Sequence, residues 1–364
     1  MNLRRLSAIV LKELRQLRRD KLTFAMIAGI PLLQLVLFGY AINMDVRGIE
    51  TAVLDQAGTA QSREVVAEIA SSQVLDIRYH LDSPQDIDHL LRQGKISAAL
   101  VVPRDFEARL QRRDRPPQDR LPLQLVVDGS DQSVQASARQ LAAYPLPGWE
   151  SRPGVEVVNF YNPERLAPLN TVPGLLGVIL TMTMVMFTAV ALVREREHGN
   201  LELLIATPVS PWELTIGKVL PFIGIGLIQV TVILLVGHWL FAVPVRGALL
   251  DLYGASLLFV VASLALGVFL STLAGTQFQA MQMAFFTFLP QILLSGFMFP
   301  FAGMPKAAQW IAELMPLTHY LRLSRGIMLR QAGLAELWQE IVVLLLFCAV
   351  LLSLAVARIH KRLD

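Results

Sequence analysis

Few residues of this 364-residue chain stand at a spacing that predicts chemistry. Asp128-Gly-Ser-Asp131 has the residue types of a small acidic site. A strand-to-helix turn in which Asp or Ser caps the next helix explains the same residues, and we favour the turn. His80 and His89 stand apart from any HxxxH or CxxC pattern, so no metal site is expected. Cys348, the one cysteine, lies in an apolar run without an activating neighbour and is expected to pack rather than react.

A phosphate-binding loop is not found in the sequence either. The pattern GxxxxGK[ST] does not occur, and the two Gly-Lys pairs, at 94–95 and 217–218, are followed by Ile96 and Val219. The chain is therefore not expected to hydrolyse ATP, to be an enzyme or to bind a cofactor of its own.

The composition points to a membrane protein. Hydrophobic residues make up 54% of the chain and charged residues 17%, against about 25% charged in soluble domains. The net charge of +3 gives no basic surface for nucleic acid. Six stretches without Asp, Glu, Lys or Arg are long enough to cross a hydrocarbon core of about 30 Å as helices. They are 22–42, 172–193, 219–243, 252–273, 279–300 and 341–357.

These spans carry no ionisable groups at depth, which disfavours a proton- or sodium-coupled carrier. Their larger polar residues are mainly glutamines, which could hydrogen-bond between helices or line a path, and the sequence leaves both open. Pro31, Pro221 and Pro290 are expected to interrupt helices at or near membrane depth.

The distribution of basic residues predicts the orientation of the chain. Both 1–21 and the tail 358–364 are rich in Lys and Arg, and six spans put both termini on one side, so we expect both to be cytoplasmic. The block 43–171 is then extracytoplasmic. One conflict remains, because Lys306, Arg322, Arg325 and Arg330 in the segment 301–338 would also lie outside.

The block 43–171 alternates strand-like and helix-like stretches, which predicts a small α/β domain inserted between the first two spans. The expected fold is thus a polytopic α-helical membrane protein with six transmembrane helices and an inserted α/β extracytoplasmic domain. Its predicted strands are 49–54, 74–79, 98–102, 123–127 and 155–160, and its predicted helices are 62–70, 85–92, 105–112 and 133–144.

The segment 194–218 is predicted to form a compact, charged element of two short helices separated by a break. Asn200 is a helix cap, Thr207-Pro208 ends the first helix, and Ser210-Pro211-Trp212-Glu213 is a capping box with proline at the first position. A solvated linker is the alternative. Because leucines stand beside charged residues here, we favour a docking surface.

This segment resembles the signature of ABC-2-type exporter permeases, and the resemblance extends over nearly the whole chain. Asn200 stands where the family usually has Thr. The matching residues are Glu195, Glu197, Gly199, Glu202, Thr207, Pro208, Glu213, Gly217 and Lys218 in this segment. A second matching stretch begins at the end of the fifth span and continues into an outer re-entrant or amphipathic loop at 301–338; its residues are Gly296, Pro300, Pro305, Pro316, Arg325 and Gly326.

The resemblance implies that 194–218 is a coupling loop seated on a separate ATP-binding-cassette ATPase, which carries ATP and Mg. It also implies a second permease copy or a sister permease, a bacterial inner-membrane location and outward transport, and it leaves open a periplasmic adaptor. The residues 1–21 independently predict an amphipathic interfacial helix on an anionic leaflet. Its basic residues are Arg4, Arg5, Lys12, Arg15, Arg18 and Arg19.

The function expected from these observations is the membrane-spanning subunit of an ATP-driven exporter. Its substrate would be hydrophobic or amphipathic, and a drug, a lipid and a glycolipid all remain open. The alternative is a membrane receptor or scaffold with 43–171 as its sensor. A receptor would need a cytoplasmic output domain, and only 358–364 follow the last span.

Overall fold

The computed structural model describes residues 48–111, 121–142, 154–197 and 211–360. Four of the sequence predictions lie outside these residues. They are the interfacial helix at 1–21, the span at 22–42, the part of the coupling loop at 198–210 and the end of the tail at 361–364.

An α/β domain comes first in the described chain, and its five strands confirm the predicted ones to within a residue at each end. Alternating apolar residues and helix caps produce its elements. One such cap is Thr59, which forms a capping box with Ser62. The elements are β1 (Ile49–Asp55), α1 (Ala60–Ser71), β2 (Leu75–His80), α2 (Pro84–Arg92), β3 (Ala98–Val102), α3 (Phe106–Gln111), β4 (Leu123–Asp128), α4 (Gln132–Ala142) and β5 (Val155–Phe160).

The strands form one mixed sheet in the order β2-β1-β3-β4-β5. All neighbours are parallel except β3 and β4, which run antiparallel with Ala98 opposite Val127. Helices cover both faces. One core contains residues of α1, α3 and α4, and a smaller core contains Ile87 and Leu91 of α2. Both faces contact the rest of the chain, through Arg330 at the α2 face and Ala302 at the larger core.

A helical bundle follows the α/β domain. Its helices are α5 (Ala167–Glu197), α6 (Pro211–Phe241), α7 (Leu249–Leu273), α8 (Gln277–Leu294), α9 (Lys306–Glu313), α10 (Pro316–Arg330) and α11 (Trp338–His360), with a 3-10 turn at Phe301–Gly303. Four of them are long and apolar enough to cross a membrane, which confirms four of the predicted spans. The four segments are α5, Leu220–Phe241 of α6, α7, and Trp338–Ala355 of α11.

The predicted fifth span was too long. The helix α8 ends at Leu294 rather than 300, because Ser295 caps it and Gly296 takes a left-handed φ of +86° that stops helical geometry. The glutamines along α8 also lower its hydropathy, and α8 is not among the helices long and apolar enough to span.

Two further predictions about helix breaks were wrong. The second helix expected in the loop 194–218 is not a separate short helix, since Pro211 begins the 31-residue helix α6 and nothing breaks it before Phe241. Pro221 and Pro290 also lie inside continuous helices. A proline removes one backbone hydrogen bond, which the bonds on either side of it can outweigh when the helix is long.

The helix α10 forms part of the bundle core, although the sequence indicated only a loop there. Nearly all of its residues are buried. Gly177 of α5 lets it approach closely, because a Cβ there would lie 2.7 Å from Leu317 Cδ1. On the α7 side, the Tyr320 ring stacks on Phe259 with centroids 4.1 Å apart, and its hydroxyl lies 2.7 Å from Ser256 Oγ. The helix α10 is therefore held between α5 and α7.

Candidate functional site

The last turn of α5 is hydrogen-bonded to the end of α7 and to the short turn between α7 and α8. Arg196 donates from Nη1 to the Ala274 carbonyl at 3.2 Å and from Nη2 to the Ser271 carbonyl. Carbonyls at a helix C-terminus lack partners within the helix and carry partial negative charge, so a guanidinium is favourable there.

Glu197 makes the complementary contact at the start of α8. Its Oε1 accepts from the Gln277 backbone N–H at 2.9 Å, and its Oε2 accepts from the Gln277 side-chain amide. A carboxylate at a helix N-terminus satisfies an orphan N–H and favours the helix dipole. We call Arg196, Glu197, Ser271, Ala274 and Gln277 the α5–α7–α8 junction.

The structure places the predicted coupling residues in three groups. Glu195 and Glu197 lie in the last turn of α5, and Glu197 belongs to the junction. Glu213, Gly217 and Lys218 lie in the first turns of α6. The third group lies outside the described residues and consists of Gly199, Glu202, Thr207 and Pro208. The basic residues predicted for the interfacial helix also lie outside them; these are Arg4, Arg5, Lys12, Arg15, Arg18 and Arg19.

At the opposite end of the bundle lies a cluster of charged side chains that the sequence did not predict. Arg322 of α10 pairs with Glu313 of α9 at 2.5 Å and with Glu340 of α11 at 3.4 Å. Its guanidinium also lies over the Phe301 ring, 4.8 Å from the centroid. Burial opposes the charge on Arg322, but the Glu313 hydrogen bond and the Glu340 charge outweigh it, so the pKa of Arg322 is raised.

His319 completes this cluster. Its Nδ1 lies 2.5 Å from Glu340 Oε2 and its Nε2 lies 2.8 Å from the Glu313 carbonyl, so both ring nitrogens face acceptors. Glu340 of α11 therefore contacts both His319 and Arg322 of α10. We call His319, Arg322, Glu313 and Glu340 the α9–α11 charge cluster.

The residues predicted for the outer loop lie along the chain from the end of α8 into α10. Pro300 precedes the 3-10 turn, Pro305 precedes α9, and Pro316 is the first residue of α10, where its fixed φ suits a helix start. The Gly296 carbonyl accepts from Arg325 Nη2 at 3.4 Å. A Cβ on Gly326 would lie 2.7 Å from Leu337 Cδ1, so the turn before α11 packs directly on this glycine.

Three of the four basic residues that conflicted with an outer position are paired with carboxylates. Arg322 pairs as above, Arg325 lies 3.6 Å from Asp131, and Arg330 lies 3.4 Å from Asp128. The presence of these arginines in the sequence indicated acidic partners, since buried arginines require them. The sequence did not indicate which carboxylates the partners were.

The glutamines of the spans have separate roles. Gln229 of α6 accepts from Thr183 of α5 at 2.9 Å, which is a hydrogen bond between helices. Gln279 accepts from the Gly275 N–H at 2.8 Å near the start of α8. Gln291 is buried in α8, and its Oε1 has no hydrogen-bond partner among the described residues.

Comparison with known proteins identifies the family. The family described as ABC-2 family transporter protein matches residues 21–357. The probable multidrug ABC transporter permease YbhR of Escherichia coli K12 is 29% identical over 98% of this chain and 99% of its own length. The probable multidrug ABC transporter permease YbhS of the same strain is 27% identical over 99% and 98%.

A more distant relative shares only part of the chain. ABC transporter G family member 20 of Dictyostelium discoideum is 30% identical over 52% of this chain and 26% of its own length. The full-length matches and the membrane-spanning helices agree with the resemblance that the sequence motifs carried. The chain belongs to the ABC-2 family of transporter proteins and is a membrane permease.

Proposed function

We propose that the chain is the membrane-spanning permease subunit of an ATP-binding-cassette exporter that moves a hydrophobic or amphipathic substrate outward. ATP is hydrolysed on a separate ATPase subunit, and a second permease copy or a sister permease completes the transporter. The relatives named as multidrug permeases support a substrate of this class. The sequence supports a separate ATPase, because it contains no phosphate-binding loop.

The observation that carries this proposal is the α5–α7–α8 junction. The segment 198–210, which holds four of the nine residues of the family's coupling motif, follows α5 directly after Glu197. Arg196 and Glu197 tie that end of α5 to the end of α7 and the start of α8. A displacement of this segment by an ATPase would therefore change the contacts of α5, α7 and α8 together. Transport requires two states of the permease that differ in such contacts.

The proposed orientation places both termini in the cytoplasm and the α/β domain outside. The contacts of Asp128 and Asp131 with α10 support one part of it, since the domain and α10 share one end of the bundle. Glu197 and Gln277 mark the other end, where the coupling segment begins. The carboxylate partners of Arg322, Arg325 and Arg330 also weaken the objection that basic residues would lie outside.

Apolar side chains on the outer faces of the bundle support a membrane-embedded position. Leu220, Ile228 and Leu235 of α6 and Leu346 and Val350 of α11 are each more than half exposed. Such faces are stable when lipid or a second permease covers them.

Reversing a charge in the coupling segment tests the proposal. The chain is co-expressed with its proposed partner ATPase, and Glu202→Arg and Glu213→Arg are compared with wild type in proteoliposomes. We expect ATP hydrolysis to persist while transport of a hydrophobic dye is lost. Glu107→Arg, an exposed change in the α/β domain, is the control. Wild-type dye transport in both variants would overturn the assignment of the coupling segment.

A further inference from the structure

The side chain of Arg330, the last residue of α10, extends into the α/β domain. Its side chain is 8% exposed, and Nη1 lies 3.4 Å from Asp128 Oδ2 and 3.3 Å from the Leu91 carbonyl at the end of α2. A Cβ on Gly94 would lie 3.1 Å from the same nitrogen, so the glycine leaves room for the guanidinium. A membrane-bundle arginine is thus buried inside the α2 face of the domain.

A second arginine of α10, Arg325, pairs with a carboxylate three residues after Asp128. Arg325 Nη1 lies 3.6 Å from Asp131 Oδ2, while its Nη2 reaches the Gly296 carbonyl at the end of α8. Asp128–Asp131 is the turn that links β4 to α4, and we call it the DGSD turn. Asp128 Oδ1 also accepts from the Ser130 N–H at 2.8 Å, which fixes the turn's shape.

Two more contacts join the domain to the bundle. The Asn170 amide of α5, in the orientation that satisfies its hydrogen bonds, donates to the Ser130 carbonyl at 2.8 Å and to the Gly129 carbonyl at 3.2 Å. Ala302 of the 3-10 turn packs against the larger core of the domain. The domain therefore contacts α5, α10 and the turn before α9. All of these polar contacts are to the DGSD turn except that of Arg330 with the Leu91 carbonyl.

Buried ion pairs are weak sources of stability, because desolvation offsets most of their attraction, but they permit few alternative geometries. Arg330 also keeps a buried Nε without a hydrogen-bond partner among the described residues, which is a further cost. Apolar packing would hold the domain at lower cost, so the ionic contacts favour a role in positioning.

We propose that Asp128, Asp131, Arg325 and Arg330 are positioning residues that make the α/β domain follow the movements of α10. Because α10 is packed between α5 and α7, a rearrangement of those helices carries the arginines and, through the DGSD turn, the domain. The domain then acts as a cap whose position reports the state of the bundle, rather than as a sensor on a flexible tether. Only the transport part of this proposal rests on the proposed function.

The first test measures the distance between domain and bundle in the full chain. Spin labels are placed at Tyr79→Cys and Trp338→Cys, two exposed positions, in a Cys348→Ala background in nanodiscs. We expect one narrow distance distribution in the parent, a broad one in Arg325→Asp and in Asp131→Arg, and a narrow one again in the double charge swap. Arg78→Ala, which removes two exposed ion pairs elsewhere in the domain, is the control and should leave the distribution narrow.

Three results would overturn the proposal. They are a narrow distribution in both single variants, a broad one in the monodisperse double swap, and broadening in the control. This measurement needs neither substrate nor ATPase, so its outcome is independent of the proposed function. The conservative change Asp128→Asn, which keeps the oxygen that accepts from Ser130, should also broaden the distribution, whereas a purely structural turn would not respond.

The second test measures transport with the partner ATPase. In Arg325→Asp we expect ATP-driven dye export to fall about tenfold, within the usual range of coupling effects. ATP hydrolysis and co-purification with the ATPase should be unchanged, and the double swap should restore transport. Full transport in a variant whose distance distribution is broad would show that the domain's position is irrelevant to export, and would overturn the transport role alone.

Discussion

The two ends of the helical bundle hold their charges in different ways. At the end that carries the α/β domain, arginines pair with carboxylates from distant segments, as Arg322 does with Glu340 and Arg330 with Asp128. At the other end, Arg196 and Glu197 mainly contact backbone groups where α7 ends and α8 begins. The first arrangement depends on particular side chains, whereas the second uses the partial charges that any helix terminus offers.

This difference between the two ends is what a movement that starts at the ATPase end and reaches the domain end would require. Contacts to helix termini can re-form after a small shift, since neighbouring carbonyls and N–H groups are equivalent partners. Buried side-chain pairs have one good arrangement and are costly to break. We therefore expect the junction end to tolerate displacement by an ATPase and the domain end to move as a unit. The following predictions test that contrast, from the largest expected effect to the smallest.

Glu340→Ala should be the most destabilising of these changes. It leaves the buried His319 and the half-buried Arg322 without their shared carboxylate, and the full cost for a buried pair, about 3–5 kcal/mol, is the upper limit here. The measurement is the apparent melting temperature in detergent, with the exposed neighbouring change Gln339→Ala as the control. A Glu340→Ala variant as stable as the control would contradict the pairing in the α9–α11 charge cluster.

Gly326→Ala should also destabilise the domain end. The new Cβ would meet Leu337 Cδ1 at 2.7 Å and Arg330 Nη2 at 3.3 Å, and overpacking of this kind costs about 1–3 kcal/mol. The matched control is Gly254→Ala in α7, whose Cβ would find only Leu334 at 3.8 Å. Equal melting temperatures for the two variants would mean that the turn before α11 does not pack as described.

Glu197→Ala should lower stability much less, yet have the larger effect on coupling. Removing a capping carboxylate costs about 1 kcal/mol, while the last turn of α5 loses its contact with α8. We expect near-normal melting, continued ATP hydrolysis and reduced transport in proteoliposomes. Glu197→Gln keeps an oxygen that can accept from Gln277 and should lie between wild type and Ala. Normal transport in Glu197→Ala would remove the junction from the coupling route.

Gln229→Leu should have the smallest effect. It removes the hydrogen bond to Thr183 between α6 and α5, and such bonds inside membranes average about 0.6 kcal/mol. The measurement is again melting in detergent, with Thr183→Val as the reciprocal change. If either variant melts far below wild type or stops transport, Gln229 has a role beyond linking two helices.

Local features of the fold were predictable from the sequence, and distant pairings were not. The strands and helices of the α/β domain follow from alternating apolar residues and from caps such as Ser83. The long apolar runs predicted four of the spanning helices. The end of α8 was missed because apolar residues continue past Gly296, whose left-handed backbone ends the helix.

The candidate site was predictable to a smaller extent. The family motif directed attention to Glu197 and Arg325, and the unexplained arginines of α10 implied acidic partners. The pairing of Arg330 with Asp128 spans 202 positions, and a single sequence has no local signal for a contact at that separation. For the same reason Asp128-Gly-Ser-Asp131 was correctly interpreted as a turn while its arginine partners remained unknown.

Transport by the purified complex tests the central claim most directly. The chain and its proposed partner ATPase are reconstituted in proteoliposomes. Transport of a panel of hydrophobic dyes is followed with the wild-type ATPase and with an ATPase whose phosphate-loop lysine is replaced. The account predicts ATP-dependent movement of at least one dye with the wild-type ATPase and none with the inactive one. Movement that is the same with both, or a chain that does not associate with the ATPase, would contradict it.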